Sequence, residues 1–262
     1  MSDYWRGKAA VVTGAARGQG ASIARMLLQQ GAHVYAMDWL GAADPAWAAL
    51  RAAAGEHAAK LSCLELDVSA PESWDTLAQQ ITAAAEPLLG LVNNAGITGP
   101  RNTVTKASLQ EWERVLRVNL TGAFLGINRL APLMPKGASI VNISSTVGMT
   151  GYYSAAYSTS KWALRGLSKS ASIELAAAGI RVNCVCPGVV DTEMIRSNAA
   201  LYQALQSIIP MQQMASADQI AEVLLFLLGP TSSYVTGADI AVDGGVTSGG
   251  TYWPIGRSLG VV

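Results

Sequence analysis

Ala9-Ala-Val-Val-Thr13-Gly14-Ala-Ala-Arg17-Gly18-Gln19-Gly20 is the stretch that decides the fold. A short apolar run ending at Thr13 reads as a buried strand. Three glycines in GxxxGxG spacing follow and lead into a helical pattern. Gly14 permits a sharp turn, while Gly18 and Gly20 let backbone N–H groups and the helix N-terminus approach a pyrophosphate closely. Such glycines are weak evidence alone, because any tight strand–helix turn uses them. The next strand candidate, Val34-Tyr-Ala-Met-Asp38, supplies the missing context by ending in an acid. A carboxylate there accepts hydrogen bonds from both adenosine ribose hydroxyls and repels a 2′-phosphate. Trp39 follows, where a basic residue would favour NADP. Arg17 pulls the other way, since a loop arginine suits a 2′-phosphate. The expected cofactor is NAD.

Strand-like runs recur at Ala9–Thr13, His33–Met37, Leu61–Leu66, Leu89–Asn93, Ser139–Ser144, Arg181–Val185 and Asp239–Val242. They are continuous rather than alternating, as strands buried on both faces of a parallel sheet are. Helical segments lie between them. Ser69-Ala-Pro-Glu72, Ser108-Leu-Gln-Glu111 and Ser216-Ala-Asp-Gln219 read as capping boxes that open three of these. The expectation is an α/β fold: one doubly wound, Rossmann-type domain over residues 1–262, with a seven-stranded parallel sheet and helices on both faces. Residues 193–215 break the rhythm, and the Gly-rich tail 246–262 lacks clear periodicity.

Composition narrows the function. Half the residues are apolar and 14% are charged, which suits a sizeable core and argues against disorder. Eighteen basic residues balance eighteen acidic ones, so no basic stripe invites nucleic acid or an anionic membrane. The N-terminus lacks the apolar stretch of a secretory signal, and no window is long and apolar enough to span a bilayer. The expectation is a soluble, cytoplasmic protein. Cys184 and Cys186 share one face of a strand and read as core packing rather than a metal or redox pair. The two histidines, His33 and His57, form no ligand cluster, so no metal site is expected.

Tyr157-Ser-Thr-Ser-Lys161 begins a helical stretch and places a phenol and an ammonium one turn apart on one face. A tyrosine titrates near pH 10, and an adjacent cation is expected to lower that value, making Tyr157 an acid/base for a hydroxyl/carbonyl pair. Alone, Tyr-x-x-x-Lys is usually a solvated helix face. Upstream, Ile140-Val-Asn-Ile-Ser144-Ser145 is a buried strand ending in serines, and a serine there faces the ligand crevice of such a sheet.

In order along the chain, Thr13–Gly20, Asp67-Val68, Asn93-Asn94-Ala95-Gly96, Asn119, Ser144-Ser145, Tyr157–Lys161, Pro187-Gly188 with Thr192, and Val242-Asp243-Gly244-Gly245 resemble the motifs of the short-chain dehydrogenase/reductase family. The stretch Ser139–Thr192 is similar to bacterial hydroxysteroid and secondary-alcohol dehydrogenases of that family. The resemblance implies an NAD(H)-dependent oxidoreductase that interconverts a secondary alcohol and a ketone. Asn119, Ser145, Tyr157 and Lys161 would be catalytic. Gly14, Arg17, Gly18, Gln19, Gly20, Asp38, Asp67, Val68, Asn94, Ala95, Gly96, Pro187, Val190 and Thr192 would bind cofactor with Tyr157 and Lys161. Asp67 and Val68 would hold the adenine, Asn94, Ala95 and Gly96 would line the adenosine side, and Asn119 would support a proton-carrying water. Gln19 stands where the family usually has an aliphatic residue. The family's serine usually precedes the tyrosine by thirteen residues. The Asn-Ile-Ser-Ser motif selects Ser145, at twelve, and the count selects Ser144. The strand end favours Ser145, because the loop after it can lose a residue cheaply.

Residues 193–215 would form a lid over the cleft. Met194, Ile195, Leu201, Tyr202, Leu205, Ile208, Ile209, Met211 and Met214, with Met149, Tyr152 and Tyr153, suggest an apolar pocket. Arg196 is the lone cation of that segment, so the expected substrate is a neutral alicyclic, aryl-alkyl or steroid-like alcohol or ketone. The resemblance also implies a homotetramer built through helices near 108–134 and 155–178 and through the last strand. A non-catalytic NAD(H)-sensing or scaffold protein is the alternative, and an intact proton relay argues against it.

Overall fold

The computed structural model describes residues 4–192, 195, 197–250 and 252–262. Seven strands form one all-parallel sheet: β1 (Ala9–Thr13), β2 (His33–Asp38), β3 (Leu61–Glu65), β4 (Leu88–Asn93), β5 (Ser139–Ile143), β6 (Arg181–Pro187) and β7 (Asp239–Val242), in the order β3-β2-β1-β4-β5-β6-β7. This is the doubly wound sheet expected, with strand ends shifted by a residue or two. β1, β4, β5 and β6 are buried at every position, which is why they read as mostly apolar runs without a polar face.

The helices are α1 (Gly18–Gln29), α2 (Pro45–Ala54), α3 (Pro71–Ala84), α4 (Leu109–Leu116), α5 (Gly122–Leu130), α6 (Ala155–Leu175), α7 (Ala199–Ser207), α8 (Ala217–Leu228), α9 (Val246–Gly249) and α10 (Tyr252–Ser258). α1 packs between α2 and α8, and α5 packs between α3 and α6, which gives the two helical layers. Chain order reverses between β1 and β4, so the strand C-termini splay apart there and open a crevice.

Ser108 and Ser216 close capping boxes with Glu111 and Gln219, as expected. Ser69 does not. α3 starts two residues later, with Ala70 as its uncapped N-terminal neighbour and Pro71 in the first turn. Ser69 is already committed, since its backbone N–H and its hydroxyl both donate to Asp67 Oδ1 at 2.8 Å. Pro71 brings no N–H that would need a cap. Cys184 and Cys186 are fully buried. Among the described residues no helix is long and apolar enough to cross a membrane.

Candidate active site

The crevice is a cleft of about 1000 Å³. Gly14, Arg17, Gly18, Gln19 and Asp38 line one end. Ser145, Tyr157, Lys161, Pro187, Val190 and Thr192 line the other, with Asp67, Val68, Asn94, Ala95 and Gly96 also on its walls. The structure thus brings together every candidate residue except Gly20 and Asn119. It adds a wall that motif reading missed: Gln110, Glu113, Arg114 and Arg117 from α4 and its C-terminal extension. These are ordinary polar residues of an amphipathic helix and carry no local signal.

At the loop end, Gly18 adopts a left-handed φ of 56°, which only glycine takes without strain. α1 starts there with no side-chain cap and no acid in its first turn, so its free N–H groups form an anion-binding end. Gly20 has a packing reason to be glycine as well. A β-carbon on it would collide with the Gly14 carbonyl oxygen and lie 2.7 Å from Asn94 Nδ2. The residue is glycine because the helix packs on its own loop. Asn94 holds that loop by donating to the carbonyls of Thr13 (2.9 Å) and Gly14 (3.1 Å). Thr13, a residue that motif reading gave no role, accepts the N–H groups of Asn94 and Ala95 on its hydroxyl at 3.0 Å. Asp38 closes this end, its Oδ2 accepting the Ala16 N–H at 3.1 Å. The free helix end, the ring of backbone amides and the Asp38 carboxylate form a donor and acceptor set that fits a dinucleotide.

At the other end, α6 carries Tyr157 and Lys161 on one face, and the ammonium lies 5.7 Å from the centre of the phenol ring. Lys161 is buried, and Nζ donates to the Ile143 carbonyl at 2.8 Å. Burial lowers its pKa from the ordinary 10.5 to about 8. The Tyr157 phenol runs against the expected lowering. Burial raises its pKa, and the hydrogen bond from Ser145 and the charge of Arg101 offset this only in part. The Lys161 ammonium is directed at the Ile143 carbonyl, and the enclosed phenolate would be poorly solvated.

The two serines part company. Ser144 is buried and donates to the Lys161 carbonyl at 2.8 Å, tying β5 to α6. Both serines line the cleft, but it is the Ser145 hydroxyl that meets that of Tyr157. Asn119 sits in a π-helical turn, Arg117–Thr121, between α4 and α5. Buried behind the cleft, it accepts the Ile97 N–H at 2.8 Å and donates to the Ile97 carbonyl at 2.9 Å and Ser160 Oγ at 3.0 Å. A β-carbon on Gly96 would lie 3.3 Å from Asn119 Oδ1 and 3.4 Å from Lys161 Nζ. Gly96 therefore belongs to the Lys161 end of the cleft, not the adenosine side that the resemblance implied.

The expected lid behaves differently again. None of its described residues lines the cleft. Ile209 and Met214 are buried in the body, and α7 is tied to the tail by Trp253 Nε1 donating to the Ser207 carbonyl at 3.3 Å. Met194 and Arg196 lie outside the described residues.

Residues 14–247 match the family model described as Enoyl-(Acyl carrier protein) reductase. The chain is 39% identical over 256 residues to the trans-4-hydroxycyclohexanecarboxylate dehydrogenase of Sinomonas cyclohexanicum, covering 95% of this chain and 96% of the relative. It is 38% identical over 252 residues to the 3-alpha-(or 20-beta)-hydroxysteroid dehydrogenase of Mycobacterium bovis, covering 95% and 93%. Among solved structures, a mutant of a Serratia marcescens short-chain dehydrogenase/reductase superposes with a TM-score of 0.86 at 31% identity, over 93% of this chain and 99% of that one. The chain belongs to the short-chain dehydrogenase/reductase family.

Proposed function

We propose that this chain interconverts a secondary alcohol and its ketone with NAD(H), using Tyr157 as the acid/base. One observation carries the reading: a single cleft runs from the uncapped N-terminus of α1 and Asp38 to the hydroxyls of Ser145 and Tyr157. A nicotinamide dinucleotide, when bound, would supply or accept the hydride. The rest falls to the protein. Ser145 and Tyr157 hold the substrate oxygen. Because burial keeps the phenol protonated at neutral pH, Tyr157 is suited to donate its proton to a ketone oxygen. Lys161, fixed by Ile143 and Ser144, supplies positive charge behind it. Asn119 braces the Ile97 loop against α6 through Ser160. The Asp38 carboxylate favours the ribose hydroxyls of NAD over the phosphate of NADP.

Aromatic rings pack beside the catalytic end of the cleft. Tyr152 meets Tyr157 edge to face at 6.5 Å, and its hydroxyl donates to Tyr153 at 3.2 Å. Tyr152 and Tyr153 do not line the cleft themselves, but Ile97 and Val190 on its wall suit an apolar ring, in keeping with the alicyclic and steroid alcohols in the relatives' names. We read the chain as a single catalytic domain. Exposed Phe124, Trp162 and Ile173 on α5 and α6 support assembly into a homotetramer through those helices.

A panel of cyclohexanols, hydroxysteroids and their ketones, with a 3-oxoacyl thioester as rival, tests the reading with both cofactors. Cyclic substrates with NAD(H) are expected to lead by about tenfold or more in kcat/KM. Turnover of the thioester alone overturns the substrate class, and dinucleotide binding without any turnover favours the sensor. The serines provide a second test. Ser145→Ala is expected to lower kcat about 100-fold, since it removes a group at the reacting oxygen. Ser144→Ala is expected chiefly to cost about 1 kcal/mol of stability. Steady-state kinetics and thermal melts of both variants check the order, and an inverted order exchanges their roles.

A further inference from the structure

The loop after β1 places one cation at the adenosine end of the cleft, Arg17, and that cation is already engaged. Its Nη2 lies 3.1 Å from each carboxylate oxygen of Asp44. Asp44 is the fixed member of the pair. It is the N-cap of α2, its Oδ1 accepts the Ala46 N–H at 2.9 Å, and Pro45 sets the turn that follows. The Ala46 N–H and then the guanidinium hold its carboxyl below the usual range, so Asp44 stays a carboxylate at neutral pH. The Arg17 side chain is 66% exposed against 20% for Asp44, so the arginine is the member free to swing. Asp38, the end of β2, lines the same cleft six residues before Asp44.

A free arginine beside an adenosine site is a ready partner for a phosphate, because its planar fork matches phosphate oxygens. We propose that Asp44 is a cofactor-specificity residue: by holding the Arg17 guanidinium, it withholds that cation from the 2′-phosphate that distinguishes NADP from NAD. The proposal rests on the reading of Asp38 as the ribose carboxylate and adds a second carboxylate acting on the same choice. An exposed ion pair is a weak restraint, so it biases Arg17 without locking it.

The test uses two ligands that differ only by the 2′-phosphate, 5′-AMP and adenosine 2′,5′-bisphosphate, with affinities read by calorimetry. Asp44→Ser keeps a capping oxygen for α2 and removes the charge. Wild type is expected to bind 5′-AMP more tightly than the bisphosphate, and the reverse order overturns the NAD reading itself. In Asp44→Ser the bisphosphate-to-AMP affinity ratio is expected to rise about fivefold, the upper end for one exposed ion pair. That rise is expected to vanish in Asp44→Ser/Arg17→Ala. An unchanged ratio in the single variant overturns the proposal while leaving the NAD reading intact. An equal rise in the Arg17→Ala background overturns it too, since Asp44 would then act by direct repulsion.

Discussion

Replacing Tyr157 by Phe is expected to lower kcat about 1000-fold while dinucleotide affinity stays within about threefold. The substitution is confined to one hydroxyl. The ring keeps its edge-to-face contact with Tyr152 at 6.5 Å and its place on α6, so the cleft keeps its shape. What is lost is a proton donor held protonated by burial and aligned by Ser145. Among the described residues, the neighbouring donors are already engaged. Ser144 is committed to the Lys161 carbonyl, Lys161 to Ile143, and the Tyr152 hydroxyl to Tyr153. The phenol of Tyr152 is also pushed up to about 12, too reluctant an acid for the task. Steady-state kinetics with a cyclic ketone, alongside fluorescence titration with NADH, separates the two quantities. Near-normal turnover in this variant would remove Tyr157 from the reaction.

The sheet was legible in the sequence because its central strands are buried on both faces, which leaves mostly apolar runs with no alternating polar face. Capping boxes were legible where the partner lies three residues away, as at Ser108 and Ser216. Ser69 misled because a nearer carboxylate, Asp67, took both of its donors. The candidate site was legible wherever a residue type and a strand end coincide: Asp38, Ser145, and Tyr157 with Lys161. Features that depend on contacts distant in sequence were not. That Asn94 and the Gly14 carbonyl pack against Gly20 is visible only in the fold. Spacing puts the Lys161 ammonium near Tyr157, but only the fold shows it aimed at Ile143, leaving burial to decide the phenol's pKa. Apolar character in 205–214 cannot distinguish a residue facing a substrate from one facing the core, and Ile209 and Met214 face the core.

Lys161→Met is expected to abolish turnover and, at pH 7, to raise thermal stability. Burial takes the lysine pKa from 10.5 to about 8, so the folded chain holds this proton less tightly than the unfolded chain. Between about pH 8 and 10.5 the unfolded state binds the extra proton, and stability from this group rises with pH across that window. Below about pH 8 both states are protonated and the full penalty stands, about 3 kcal/mol. A methionine of similar length removes it. The Ile143 carbonyl then loses its donor, which costs about 1–2 kcal/mol. The net gain of about 1–2 kcal/mol corresponds to a melting point higher by about 4 °C in a chain of this size. A second consequence concerns the wild type, whose ketone reduction should fall as pH rises through about 8 and Lys161 loses its charge. Calorimetry of the methionine variant at pH 7 and a wild-type pH–rate profile check the two halves separately. A variant that melts below wild type would mean that the ammonium contributes more to the fold, through Ile143, than its burial costs. That outcome would make Lys161 a structural residue as much as a catalytic one. The expected result makes it a site where the chain gives up stability to keep a charge next to Tyr157.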